Sequence, residues 1–172
     1  MFDASPLLHS AKADRLDVLG DLVKGFAPAT TRAVLDEIHR NDPQASTAVL
    51  RAEWISVVET DSLELLNAVV KWSMRMGLTG DGHNIGETTL CAYADVHGGV
   101  LIVDDLDARN VAQKHGLTVR GTVGLIADAC RRQDCTVTNA SVLADELKDS
   151  GMRLPFDKGG FQQWAREEKL LD

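Results

Sequence analysis

Residues 100–126 read VLIVDDLDARNVAQKHGLTVRGTVGLI, and this stretch decides the fold. Val100-Leu101-Ile102-Val103 is a short apolar strand, closed by Asp104 and Asp105. A helix follows from Leu106 to His115. Leu117-Thr118-Val119 forms the next strand, which turns at Gly121-Thr122 into a further helix. Upstream, Met1 to Ala4 is expected as a first strand, with Ser5-Pro6 opening a helix as N-cap and first helical residue. Gly20 and Gly25 punctuate a second short helix, and Lys24 to Ala27 is expected as strand. Thr30 or Thr31 caps a helix carrying Ala33, Val34, Glu37 and Ile38, which stops before Asn41-Asp42-Pro43. After a helical stretch from Gln44, residues 54–58 (WISVV) form a strand. Leu63, Leu66, Val70 and Met74 share one helical face, a glycine-rich loop (GLTGDGHNIGE, 77–87) follows, and a helix runs from Gly86 to His97. Strands alternating with helices imply an α/β fold, a central parallel sheet flanked by helices on both faces.

The chain has 172 residues and 18.7 kDa, enough for one domain with a real core. With no repeat or linker in sight, the expected division is one domain over residues 1–150. Residues 151–172 form a C-terminal extension on the same domain or on a dimer partner. Nothing approaches the ~20 apolar residues of a membrane span. The opening MFDASPLLHS has no basic-then-apolar leader pattern, and Cys91, Cys130 and Cys135 make no CxxC pair. A cytoplasmic protein with reduced thiols is expected. A net charge of −8 argues against a protein that coats nucleic acid through clustered Lys and Arg. It leaves room for a nuclease, in which metal ions cancel the carboxylates.

Folds of this class bind ligands beyond the carboxyl ends of their strands. Asp3 closes the first strand there, and Asp104-Asp105 closes residues 100–103. Glu87 begins a helix directly after the loop, and Glu37 lies on a helix beside Asp36. Gathered at one edge, such carboxylates repel one another unless a cation or protons intervene. Oxygen-only ligands suit Mg²⁺ or Mn²⁺, which points to metal-assisted phosphodiester hydrolysis. Plainer duties exist for each acid. Asp105 can cap the helix at Leu106 and pair with Arg109 four residues on, Asp107 and Glu87 can favour helix dipoles, and Asp36 and Glu37 can be solvated surface charges. Asp3 is harder to dismiss, because Ser5 takes the capping duty. The histidines (His9, His39, His83, His97, His115) make no zinc-ligand spacing, although His83 sits in the glycine-rich loop. Neither GxSxG nor GxxxxGK[ST] occurs. Cys91 is expected as a buried small residue. Arg109 and Arg131-Arg132 are candidates for phosphate contacts.

Taken in order, these segments resemble the PIN (PilT N-terminal) domain family, the fold of many bacterial toxin ribonucleases. DASPLLHSAKADRLDVL (3–19) resembles the family's first strand and helix, with Asp3 at the first acidic position. LDEI supplies Glu37, and GETTLCAYA places Glu87 at the third acid, where Asp is common among the toxin enzymes. Residues 101–126 resemble the branch in which a strand, a double Asp, an Ala-Arg helix and a Gly-Thr turn follow in order. Counting back from Ala112, the fourth acid falls on Asp105, with Asp104 also available. The resemblance implies a metal-dependent endoribonuclease, with Asp3, Glu37, Glu87 and Asp105 as catalytic residues and, with Asp104, as ligands of Mg²⁺ or Mn²⁺. Ser5 and Thr122 would orient those carboxylates or a phosphate. It further implies an RNA substrate, an antitoxin protein as partner, and a homodimer, for which Phe161 and Trp164 offer apolar surface. The competing expectation is an inactive PIN-fold module that holds a protein partner.

Overall fold

The computed structural model describes residues 1–77 and 84–171. At its centre lie two parallel strand pairs, β1 (Ala29–Thr31) with β2 (Ser56–Val58), and β3 (Val100–Ile102) with β4 (Thr118–Arg120). Ala29 stands opposite Ser56, and Val100 opposite Thr118. Residues 1–3 join the two pairs. On one side Phe2 donates its N–H to Ala29 O (2.8 Å) and its carbonyl accepts from Thr30 Oγ1 (2.8 Å). On the other, Asp3 N–H donates to Ile102 O (3.0 Å), and Ile102 N–H donates to Met1 O (2.8 Å). The order across the sheet is therefore β2, β1, residues 1–3, β3, β4. The chain leaves its own N-terminal segment first toward one edge and later toward the other. Asp3 ends that central segment, at the point where such sheets open a crevice.

The expected first strand shrinks to a single parallel bridge, Phe2 with Ile102, because α1 (Ala4–Lys12) begins at once. Ser5 therefore lies inside the helix, and the N-cap position belongs to Asp3. Pro6 is tolerated in this first turn, whose N–H groups have no intrahelical partner. Lys24 to Ala27 is not strand. These residues are exposed, Gly25 turns the chain at φ +87°, and pairing starts only after Pro28, which lacks an N–H.

The helices α2 (Leu16–Leu22), α3 (Arg32–Asn41), α4 (Pro43–Arg51), α5 (Leu63–Met76) and α6 (Ile85–His97) precede β3. Then come α7 (Leu106–Lys114), α8 (Thr122–Arg131), α9 (Val137–Asp149) and α10 (Phe161–Glu167). Phe2, Leu7, Val34, Ile38, Trp72, Leu90, Leu101 and Ile126 fill the space between sheet and helices. On α5 the buried face is Leu65, Ala68, Trp72 and Met76. Leu63, Leu66, Val70 and Met74 do share a face, but it is the outer one, with Leu63 75% and Met74 80% exposed. Trp72 anchors the inner face by donating its indole N–H to Asp95 Oδ2 at 3.1 Å.

The C-terminal segment packs on α9. Phe161 and Ala165 are buried there, and the Trp164 ring lies tilted against that of Phe156, 5.4 Å between centroids. These two rings, expected to pack either within the chain or across a homodimer, contact their own chain. Among the described residues, no helix is long and apolar enough to cross a membrane.

Candidate metal centre

Asp3 occupies the N-cap position of α1 without capping it. Its residue surface is 5% exposed, and Oδ1 has no hydrogen-bond partner. Desolvation by burial raises its pKa well above the ordinary carboxylate range. The negative charges of Glu87, Glu37 and Asp104 push in the same direction, against a lowering contribution from the Ala4 amide. Asp3 is thus the acid on which the fields of the others meet.

Local structure brings each neighbour there. Glu37 rides on α3, whose cap Thr31 accepts the Val34 N–H at 3.4 Å. The Thr31 hydroxyl also bonds to Thr89 Oγ1 (2.8 Å), and Thr89 Oγ1 donates to Gly86 O (2.9 Å). Since Thr89 donates to the carbonyl, its oxygen accepts from Thr31, and this buried chain fixes the start of α3 against the first turn of α6. That turn carries Glu87. A Cβ built at Gly86 beside it would stand 2.9 Å from Glu37 Oε2, which would have to shift, and 3.8 Å from Asp3 Oδ1, an ordinary contact.

The adjacent aspartates part company. Asp104 is held by Thr122, whose N–H donates to Oδ1 and whose hydroxyl donates to Oδ2, each at 2.8 Å. Asp105 turns outward and caps α7, accepting the Ala108 N–H at 2.8 Å. It also lines a cleft of about 180 Å³ together with Glu87, Met76, Asn84, Asp107, Ala108 and Val111. Counting from Ala112 points to Asp105 as the fourth acid, with Asp104 also available; Asp104 is among the charges that raise the Asp3 pKa, and Asp105 lines the cleft beside Glu87. Thr122 has the orienting duty expected of it, whereas Ser5 makes no hydrogen bond to these carboxylates among the described residues.

As they stand, no three His, Cys, Asp or Glu side chains among the described residues come close enough together to hold an ion. In donor chemistry the set nonetheless fits a hard divalent cation, being all oxygen, with a buried carboxylate oxygen that lacks a partner. The other candidates fall away. Burial pushes the Cys91 thiol up to about 12, with Glu87 and Asp3 adding to the shift, so it stays a protonated core residue. Asp36 is exposed, Arg131 pairs with Asp128, and Arg132 pairs with Asp134. His83 lies outside the described residues. Sequence reasoning missed Gly86, because nothing in a helix-opening glycine announces that its missing side chain leaves room for the Glu37 carboxylate.

A family model described as a PIN domain matches residues 1–158. No curated protein and no solved structure matches the chain.

Proposed function

Because the chain belongs to the PIN domain family, whose members are generally nucleases, we propose that it is a metal-dependent endoribonuclease. The observation that carries this reading is the buried, partnerless Asp3 Oδ1 set in the field of Glu37, Glu87 and Asp104. These four acids would hold one or two Mg²⁺ or Mn²⁺ ions, with Asp105 as a further acid at the cleft. When bound, such an ion supplies an activated water and stabilises charge developing on the phosphodiester.

The protein's own groups prepare for that charge. Burial and like-charged neighbours favour the protonated form of Asp3, and a cation offsets both, so binding is coupled to proton release. Thr122 fixes the plane of the Asp104 carboxylate, and Gly86 lets Glu37 approach Asp3. Met76, Ala108 and Val111 supply apolar lining to the cleft. The proposal extends to a cytoplasmic role as the toxin of a toxin–antitoxin pair, which a short antitoxin-like reading frame beside the gene would support.

A protein-binding module is the second reading, favoured by the outward apolar face of Leu63, Leu66, Val70 and Met74. Incubation of mixed-sequence RNA with the protein separates the two. Cleavage that needs Mn²⁺ or Mg²⁺, stops with chelator and is lost in Asp3→Asn supports the nuclease. Equal cleavage by wild type and Asp3→Asn, or none by either, contradicts it.

A further inference from the structure

We infer that Arg109 is the phosphate-binding residue of this site, its guanidinium contacting the non-bridging oxygens of an RNA phosphodiester; the inference rests on the nuclease reading above.

Arg109 has lost the partner its sequence position offers. Asp105, four residues before it, turns to cap α7 through the Ala108 N–H. Asp104 lies close by, but both of its oxygens are already engaged by Thr122. Arg15, Arg120, Arg131 and Arg132 each find a carboxylate, whereas the Arg109 side chain makes no ion pair or hydrogen bond among the described residues. Its Nε is fully occluded and has no acceptor. A guanidinium held in place by the fold yet left without a carboxylate is an exception among charged groups, and an anion at its open end accounts for it.

An independent observation concerns Gly121. Its backbone, at φ −85° and ψ 165°, is one that any residue can adopt. A Cβ there would lie 3.0 Å from Arg109 Nη1 and 3.4 Å from Asp104 Oδ1. The missing side chain therefore makes room for the guanidinium beside an acid of the candidate centre. Chemistry supplies the anion. A site of carboxylates in a protein of net charge −8 repels a polyanion, and a permanently charged planar fork at its rim offsets that repulsion. Since Arg109 takes no carboxylate out of use, it can serve the substrate while the acids serve a cation.

The test compares wild type, Arg109→Ala, Arg109→Lys and Gly121→Ala. Binding of a fluorescein-labelled single-stranded RNA is measured by anisotropy with Ca²⁺ over a salt series, alongside initial cleavage rates and melting with Mn²⁺. We expect Arg109→Ala to bind RNA about tenfold more weakly, the loss of one charge-assisted contact. The slope of log affinity against log salt should become shallower by about 0.7. KM should rise more than kcat falls, and Mn²⁺ should stabilise the variant as it does wild type. Arg109→Lys should recover part of the affinity and the full salt slope, and Gly121→Ala should weaken RNA binding in the same sense as Arg109→Ala. Wild type that cleaves while Arg109→Ala keeps its affinity and salt slope overturns the role of Arg109 and leaves the nuclease reading standing. Lower stability in Arg109→Ala with unchanged RNA affinity assigns the residue to the fold and also overturns it. If wild type binds RNA through Arg109 but does not cleave it, the nuclease reading fails and the phosphate contact stands. Wild type that neither binds nor cleaves removes both.

Discussion

Thr122 grips both carboxylate oxygens of Asp104, its N–H at 2.8 Å from Oδ1 and its hydroxyl at 2.8 Å from Oδ2. This pair ties the end of β3 to the start of α8 and sets the orientation of an acid that acts on Asp3. Thr122→Val keeps the shape and the N–H but removes the hydroxyl donor. It should cost about 1.5 kcal/mol, the low end for a hydrogen bond to a charge, because Asp104 is partly solvated. Thr122→Ser should restore most of it. Chemical denaturation checks both, and an unchanged midpoint in Thr122→Val would show that the hydroxyl contributes nothing.

The pH dependence of Asp3 follows from its raised pKa. The folded protein holds this proton more tightly than the unfolded chain does, so its contribution to stability is complete below the unfolded value, ~3.9. It is lost as pH rises through the folded value. Asp3→Asn has no such loss. In metal-free buffer the variant should gain on wild type steadily as pH rises from about 4 toward neutrality. Paired thermal melts across that range test the sign, and a stability gap that narrows with rising pH contradicts it.

Gly86→Ala should separate folding from function. Alanine is favoured over glycine in a helix by up to about 1 kcal/mol. Here the new Cβ meets Glu37 Oε2 at 2.9 Å and Val34 Cγ2 at 3.3 Å. The Glu37 carboxylate is the far end of a flexible chain and can swing aside, so the melting temperature should barely change. Displacing that oxygen from Asp3 should nevertheless weaken Mn²⁺ binding, as titration calorimetry would reveal. Undiminished affinity would detach Glu37 from the site.

Much of this molecule was legible in its sequence, and the exceptions have physical causes. The strand, double aspartate, helix and turn of residues 100–126 could be placed because each element follows local rules of patterning and capping. Pairing decisions are not local. The segment Met1–Asp3 became the middle of the sheet through hydrogen bonds to Ala29 and Ile102, and α1 then started too early for Ser5 to cap it. Likewise the orientation of Asp104 depends on Thr122, eighteen residues away, which counting along one helix does not reveal.

The face of α5 illustrates the same limit, since periodicity finds a stripe without saying which side is buried. Trp72 is fully buried, whereas Leu66 and Met74 are exposed. Trp72→Ala should cost about 3–5 kcal/mol. Leu66→Gln and Met74→Gln should each stay within about 0.5 kcal/mol of wild type. Urea denaturation of the dilute protein distinguishes these sides, and a large loss in either glutamine variant would mean that the outer stripe is covered.

The central claim is that the partnerless Oδ1 of Asp3 belongs to a divalent cation, and thermal melting of wild type and Asp3→Asn with and without Mn²⁺ tests it most directly. At a free Mn²⁺ concentration a hundredfold above Kd, wild type should gain about 2.7 kcal/mol, a rise of roughly 5–10 °C. Asp3→Asn should melt at or above the metal-free wild type and gain little from the ion. Equal Mn²⁺-induced shifts in the two proteins would contradict the account.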